Sequence, residues 1–244
     1  QGDSKTDLKS TIQYLINGSY MQFTAKSNLY YAAAGIPATW YSFEHDDRLS
    51  ANAQAKDLPK FIDIIGDMGI PLNFPIAHIG LYYYGKGQQD SHLMQFSMEY
   101  MASMYLALAE SGFLSYIDVH KRPNEEGISF WEEAFRGPSS WPSGHIIPYA
   151  ALFFKTLQFY GPYWSVLPGM LTVWSSMQRV REGRHYVSDV VGAFFLTAFA
   201  SEGVRKASGY KKNHPFYKML FDHDVQLGVI YHEGEVGPRV SWNF

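Results

Sequence analysis

Three stretches of this chain, residues 27–43, 68–85 and 156–178, contain no aspartate, glutamate, lysine or arginine. Each is about as long as a membrane span, so together they decide between two kinds of fold. Proline or glycine interrupts every one of them, and tyrosine, serine, threonine, asparagine or glutamine dilutes them. The mean hydropathy of the chain is −0.20, low for a protein with several spans. The stretches are therefore expected to be buried helices of a soluble, tightly packed α-helical protein. The 244 residues, 46% of them hydrophobic, suffice to bury a substantial core.

Helical spacing recurs along the body. Leu8, Ile12, Leu15 and Ile16 mark a first helix within residues 7–24, with Thr6 or Asp7 as its cap. Helices are expected over 59–69 and 71–84. One long helix or two should cover 88–117, and three more 145–160, 163–181 and 185–207. Glu44-His45-Asp46-Asp47-Arg48 opens a polar stretch and reads as a solvated turn or helix cap, since adjacent loop residues chelate a metal poorly. Residues 120–142 read as a loop, rich in proline and charge.

No repeat or composition shift divides the body, so residues 1–220 are expected to form a single domain. The tail, 221–244, alternates apolar and polar residues at Val225, Leu227, Val229 and Tyr231, then at Val240, Trp242 and Phe244. That is a β-hairpin pattern. It is similar to the closing strand of an outer-membrane barrel, but two strands cannot close a barrel, and the tail is read as a hairpin on the helical body.

The formal net charge of −3 provides no global field for nucleic acid. The absence of cysteine excludes disulfides and thiol nucleophiles. The polar N-terminus, Gln-Gly-Asp-Ser-Lys-Thr-Asp, lacks the pattern of a signal peptide, so the chain is expected to be cytoplasmic or the mature form of an exported protein.

Three segments share one chemistry. They are Lys121-Arg122-Pro123, Pro142-Ser143-Gly144-His145, and the run from Arg179 through His185 to Asp189. A phosphoryl group in transfer spreads negative charge over its equatorial oxygens, so its catalysis is mostly positioning and electrostatics. Arg122 and Arg179 offer planar, bidentate contacts to such oxygens. The Ser143-Gly144-His145 turn would open a helix whose positive end favours an anion. Gly144 admits close backbone approach, and the Ser143 hydroxyl adds a donor. His185 and Asp189 would share one helix face, the carboxylate holding one ring nitrogen and presenting the other to phosphorus. His145 would act across the site as general acid. No metal is required.

These segments resemble the signature of the type-2 phosphatidic acid phosphatases, a superfamily that includes bacterial class A acid phosphatases and vanadium haloperoxidases. Its pattern is lysine, six residues, Arg-Pro; then Pro-Ser-Gly-His; then Ser-Arg, five residues, His, three residues, Asp. Pro142–His145 and Arg179, His185 and Asp189 fit, and Arg122-Pro123 fits the end of the first part. The family-like region runs from about residue 30 to 205, with Gly-Asp-Met-Gly at 66–69 ahead of the site. Two positions depart from the pattern. The lysine position holds Ser115, and the serine before the arginine is Gln178. Lys121 or Arg184 would have to replace the missing cation, and Arg136 is a further cation of the same loop.

The resemblance implies an all-α bundle of the acid phosphatase and haloperoxidase type, here with a short C-terminal hairpin and the site at one end. It implies a phosphohistidine on His185, oriented by Asp189, with His145 as the acid and Arg122, Arg179, Ser143, Gly144 and Lys121 around the phosphate. It implies no cofactor, phosphate or vanadate being what would bind the site. The substrate would be a phosphomonoester, with lipid A, undecaprenyl and glycerolipid phosphates as candidates. Phe130, Trp131, Phe135 and Trp141 in the loop would meet an apolar substrate, meet a membrane surface, or pack on the bundle. Export to a bacterial periplasm and association with a membrane are expected on the same basis. The alternatives are a vanadium haloperoxidase using His185 as the vanadate ligand, and a non-catalytic phosphate-binding protein.

Overall fold

Helix boundaries follow local chemistry. The Asp90 carboxylate caps a long helix by accepting from the N–H groups of His92 at 2.9 Å and Leu93 at 3.0 Å. Gly161, at φ +85°, separates two helices, and the second begins at Pro162, where a missing N–H costs nothing. Gly209, at φ +64°, stops the last long helix in a left-handed turn.

The computed structural model describes residues 4–55, 57–119, 121–123, 137–221, 224–232 and 235–243. Among these the helices are α1 (Ser4–Met21), α2 (Ser27–Gln54), α3 (Lys60–Asp67), α4 (Ile76–Gly87), α5 (Ser91–Leu114), α6 (Ile147–Tyr160), α7 (Pro162–Arg181), α8 (Val187–Ser208) and α9 (Pro215–Phe221). Strands β1 (Asp224–His232) and β2 (Glu235–Asn243) pair antiparallel, Asp224 opposite Asn243 and His232 opposite Glu235. Neither strand makes an extensive backbone contact with a helix among the described residues.

The body is a helical bundle. α8 packs against α1, α2, α5 and α6, which makes it the middle helix. Fully buried alanines at 107, 151 and 200 let the helices approach closely, and Phe96, Met104, Ile147, Phe159 and Val204 fill the space between them. α2 runs through Pro37 and on to Gln54, so Glu44–Arg48 lies within a helix and not in a solvated turn. Asp46 there is buried.

The charge-free stretches are not wholly buried. Ile36 and Trp40 of α2, Ile76 of α4, and Tyr163 and Trp164 of α7 are each at least 65% exposed. α7 packs on α6 and α3, and its other face turns outward carrying Val166, Leu167, Met170 and Val173. By length and apolar composition α8 is the one described helix suited to cross a membrane, and 67% of its most apolar window is buried in the bundle. Residues 60–73 and 76–87 also pass when taken together, but they bend by 72°.

Candidate active site

Two of the three segments, Pro142–His145 and the run from Arg179 to Asp189, meet at one end of the bundle, where α5 and α7 end and α6 and α8 begin. The turn before α8 brings its residues together first. Its backbone closes on Arg179, whose carbonyl accepts from the N–H groups of Arg184 at 3.1 Å and His185 at 3.3 Å. Asp189 then reaches back across the first turn of α8. Its Oδ2 accepts from the Tyr186 N–H at 2.9 Å and meets His185 Nδ1 at 3.1 Å. One carboxylate thus caps the helix and orients the imidazole. His185 and Asp189 are fully buried.

The Pro142–His145 turn is fastened to the same place. The Ser143 N–H donates to the Asp189 carbonyl at 3.1 Å, and Ser111 of α5 donates to the Pro142 carbonyl at 3.0 Å. The ring centres of His145 and His185 stand 6.0 Å apart, nearly edge to face. α6 itself starts at Ile147, so His145 lies in the turn before the helix and not on its first residue.

Arg179, at the end of α7, is 8% exposed at its side chain. Its Nη2 donates to Asp67 Oδ1 at 2.9 Å and to Glu182 Oε2 at 3.2 Å, and its Nε donates to Gln178 Oε1. Gln178 in turn donates to Asp67 Oδ1 at 3.2 Å. Gly66 and Gly69 make this possible. A Cβ on Gly66 would stand 2.0 Å from Gln178 Oε1, and one on Gly69 2.4 Å from the His145 carbonyl oxygen. Gly-Asp-Met-Gly therefore lies against the site, Asp67 on Arg179 and Gly69 on His145. Asp46 braces the site from α2, accepting from the Ser188 N–H at 2.9 Å and from the Ser188 hydroxyl at the start of α8. Sequence reasoning passed over Asp67, Gln178 and Asp46 as parts of this network.

Ser115 is fully buried. Its hydroxyl donates to the Gly112 carbonyl at 2.7 Å and accepts from the Gly137 N–H at 3.0 Å, and its carbonyl accepts from the Ser139 N–H at 3.0 Å. The position is a buried tie between the end of α5 and the returning loop.

The other expected phosphate-binding residues are Gly144, Arg122 and Lys121. Gly144 is half-buried beside His145, and Arg122 is half-buried with contacts of its own. Lys121 is exposed. Arg136, Phe130, Trp131 and Phe135 lie outside the described residues. Trp141 is described, and its indole packs against Gly192 of α8. Among the described residues no three or more histidine, aspartate or glutamate side chains gather as a metal site would require.

One end of the bundle thus holds two histidines, an orienting carboxylate and a buried arginine. Residues 95–212 match the model of the PAP2 superfamily, a stretch running from α5 through α8 and across all three segments. The chain belongs to the type-2 phosphatidic acid phosphatase superfamily. At that level it is a phosphoester hydrolase acting on phosphorylated substrates. No curated protein and no solved structure matches the chain significantly.

Proposed function

We propose that this protein is a metal-independent phosphatase of phosphomonoesters, lipid phosphates above all, working through a phosphohistidine. The observation that carries the reading is His185 held by Asp189 with His145 at 6.0 Å. With the Nδ1 proton toward Asp189, the neutral ring has its lone pair on Nε2. That pair attacks phosphorus, the bond from phosphorus to the leaving oxygen breaks, and His145 gives that oxygen its proton. Water then attacks phosphorus and surrenders a proton to His145. The phosphorus–nitrogen bond breaks, and inorganic phosphate leaves. Arg179 has five N–H donors, enough to serve a phosphate while held by Asp67 and Gln178. Arg122, Lys121, the Ser143 hydroxyl and the Gly144 N–H complete the phosphate set.

A lipid substrate and a membrane-surface location are supported by the exposed apolar side chains of α7, among them Trp164, Leu167 and Met170. Tyr163 and Trp164 are of the types that favour a membrane interface. Export to a bacterial periplasm is proposed with them.

Phosphate release in the presence of EDTA tests the reading. The panel is p-nitrophenyl phosphate, phosphatidic acid, phosphatidylglycerol phosphate, undecaprenyl pyrophosphate and lipid A, with His185→Ala run beside the wild type. Turnover should survive chelation and fall by roughly 10³-fold or more in the variant. Turnover that needs a metal, or that persists in His185→Ala, would refute it. Halide oxidation by peroxide with vanadate would favour the haloperoxidase reading.

A further inference from the structure

A helix start leaves its first N–H groups without partners of its own, and buried ones must find them elsewhere. At the start of α8 four such groups are accounted for. Tyr186 N–H donates to Asp189 Oδ2 at 2.9 Å, and Asp189 N–H to the Tyr186 carbonyl at 3.2 Å. The two between them are taken by another helix. Val187 N–H donates to Ser50 Oγ at 3.3 Å and Ser188 N–H to Asp46 Oδ1 at 2.9 Å. The Ser188 hydroxyl donates to the other oxygen of the same carboxylate. Asp46 and Ser50 lie one turn apart on α2, so one face of that helix meets the end of α8 with both side chains.

Asp46, Ser50 and Ser188 are all buried. A carboxylate that accepts from both the N–H and the hydroxyl of one residue fixes that residue's backbone and its rotamer together. The residue after Ser188 is Asp189, which holds both segments of the site. Its Oδ2 meets His185 Nδ1 at 3.1 Å, and its carbonyl accepts from the Ser143 N–H at 3.1 Å. Asp46 lies 142 residues before Ser188 in the sequence, and α2 lies outside the stretch 95–212 that matches the family.

We propose that Asp46 is a positioning residue of the reaction. Through Ser188 it sets Asp189, and through Asp189 it sets the imidazole of His185 and the turn that carries His145. Its kinetic consequence rests on the phosphatase reading above, because it acts on how His185 is aimed at phosphorus. A misplacement of about 1 Å in such a group costs up to about a hundredfold in rate. Residues 95–212 therefore do not hold their own site in place, and α2 is part of the working enzyme.

Kinetics and one spectroscopic signal test this, with activity normalised to folded protein. On the ester of the panel that turns over fastest, Asp46→Ala should lower kcat about 10- to 100-fold and leave KM within about threefold. Asp46→Asn keeps an oxygen for the Ser188 N–H and offers an NH2 to the Ser188 oxygen, so its kcat should stay within about threefold of wild type. In an Asp189→Ala background, Asp46→Ala should cost less than about threefold more, because nothing remains for it to position. Ser188→Ala, which removes only the hydroxyl, should lower kcat roughly threefold at unchanged KM, and it serves if Asp46→Ala does not fold. The signal needs no turnover. In protein labelled with 15N-histidine, the Nδ1 proton held by Asp189 should exchange slowly and be absent from His185→Ala. Asp46→Ala should speed that exchange by about tenfold or more. Unchanged kcat and exchange in folded Asp46→Ala, or losses that multiply with Asp189→Ala, would overturn the proposal. Exchange that responds to Asp46→Ala in a protein hydrolysing no ester would sink the phosphatase reading and leave the positioning standing.

Discussion

α8 carries a buried polar cluster at each end. Asp189, at its start, belongs to the site with His185, His145 and Arg179. Glu202 and Arg205 lie 13 and 16 residues further on, roughly 20–24 Å along the helix. They join Glu99 of α5 and Lys155 of α6. There Lys155 Nζ, fully buried, donates to Glu99 Oε2 at 3.2 Å, Gln158 Oε1 at 2.8 Å and the Ser201 carbonyl at 2.8 Å. Arg205 donates to Glu99 Oε1 at 3.2 Å and lies 4.1 Å over the Phe159 ring. Glu202 accepts from Gln158 at 2.9 Å, Ser27 at 2.7 Å and Tyr217. Two acids face two bases inside the protein, and the charge closes on itself. The candidate site differs in kind. It sits at helix ends, where turns hold side chains by their backbone. Burial of charge alone does not mark chemistry.

The sharpest break of this contrast is a pair of variants. Lys155→Ala leaves Glu99 buried with less compensation and should destabilise the fold by about 3–5 kcal/mol in urea unfolding. Turnover per folded molecule should stay near wild type. His185→Ala should show the reverse, activity lost and most stability kept. If Lys155→Ala instead lost activity while keeping stability, the far cluster would not be structural. The pH profile sharpens the same point. Burial lowers Lys155 to about 8, against the opposing attraction of Glu99. From about 8 to 10.5 the unfolded chain then binds more protons here than the folded one, so this group adds stability as pH rises. Lys155→Met should lack that rise.

The two clusters also differ in how they can be read from sequence. His185 lies in the turn before α8 and Asp189 in the helix's first turn, so they do not share the expected helix face. They are only four residues apart, however, and Ser143 to His145 are contiguous, so their geometry is local and their spacing reports it. Asp67 meets Arg179 across 112 residues, from a helix of eight, and no local pattern announces it. The far cluster is four single charges on three helices. Its one local sign is Lys155, the only charged residue of Ile147–Tyr160, a position that demands a buried partner. The helical bundle was legible from periodicity. The exposure of 27–43 and 156–178 was not, because a charge-free stretch does not say how many of its faces have neighbours. α7 covers one face and leaves the other out.

The missing motif lysine tests whether the site end tolerates a new cation. Ser115→Lys would bury an ammonium where one hydroxyl now serves Gly112 and Gly137. It should cost at least about 2 kcal/mol of stability and raise no activity, measured by urea unfolding and phosphate release. A stable and faster Ser115→Lys would mean that the loop after α5 repacks and that the lysine position is open after all.

Asp67 gives the smallest effect and the finest test, because it belongs to the site but not to its interior. Its side chain is 70% exposed although its partner Arg179 is 8% exposed. An ion pair open to water on one side contributes about 1 kcal/mol or less. Asp67→Asn keeps an oxygen for Arg179 and Gln178 while removing the charge, so the fold should change by less than about 1 kcal/mol. Arg179, held by Gln178 and Glu182, would be placed less firmly against the phosphate. KM should rise up to about fivefold with kcat nearly constant, the mark of lost ground-state positioning. A fall in kcat at constant KM would instead place Asp67 in the transition state. An unchanged KM would leave Gln178 and Glu182 as sufficient anchors of the arginine and move Asp67 to the periphery of the site.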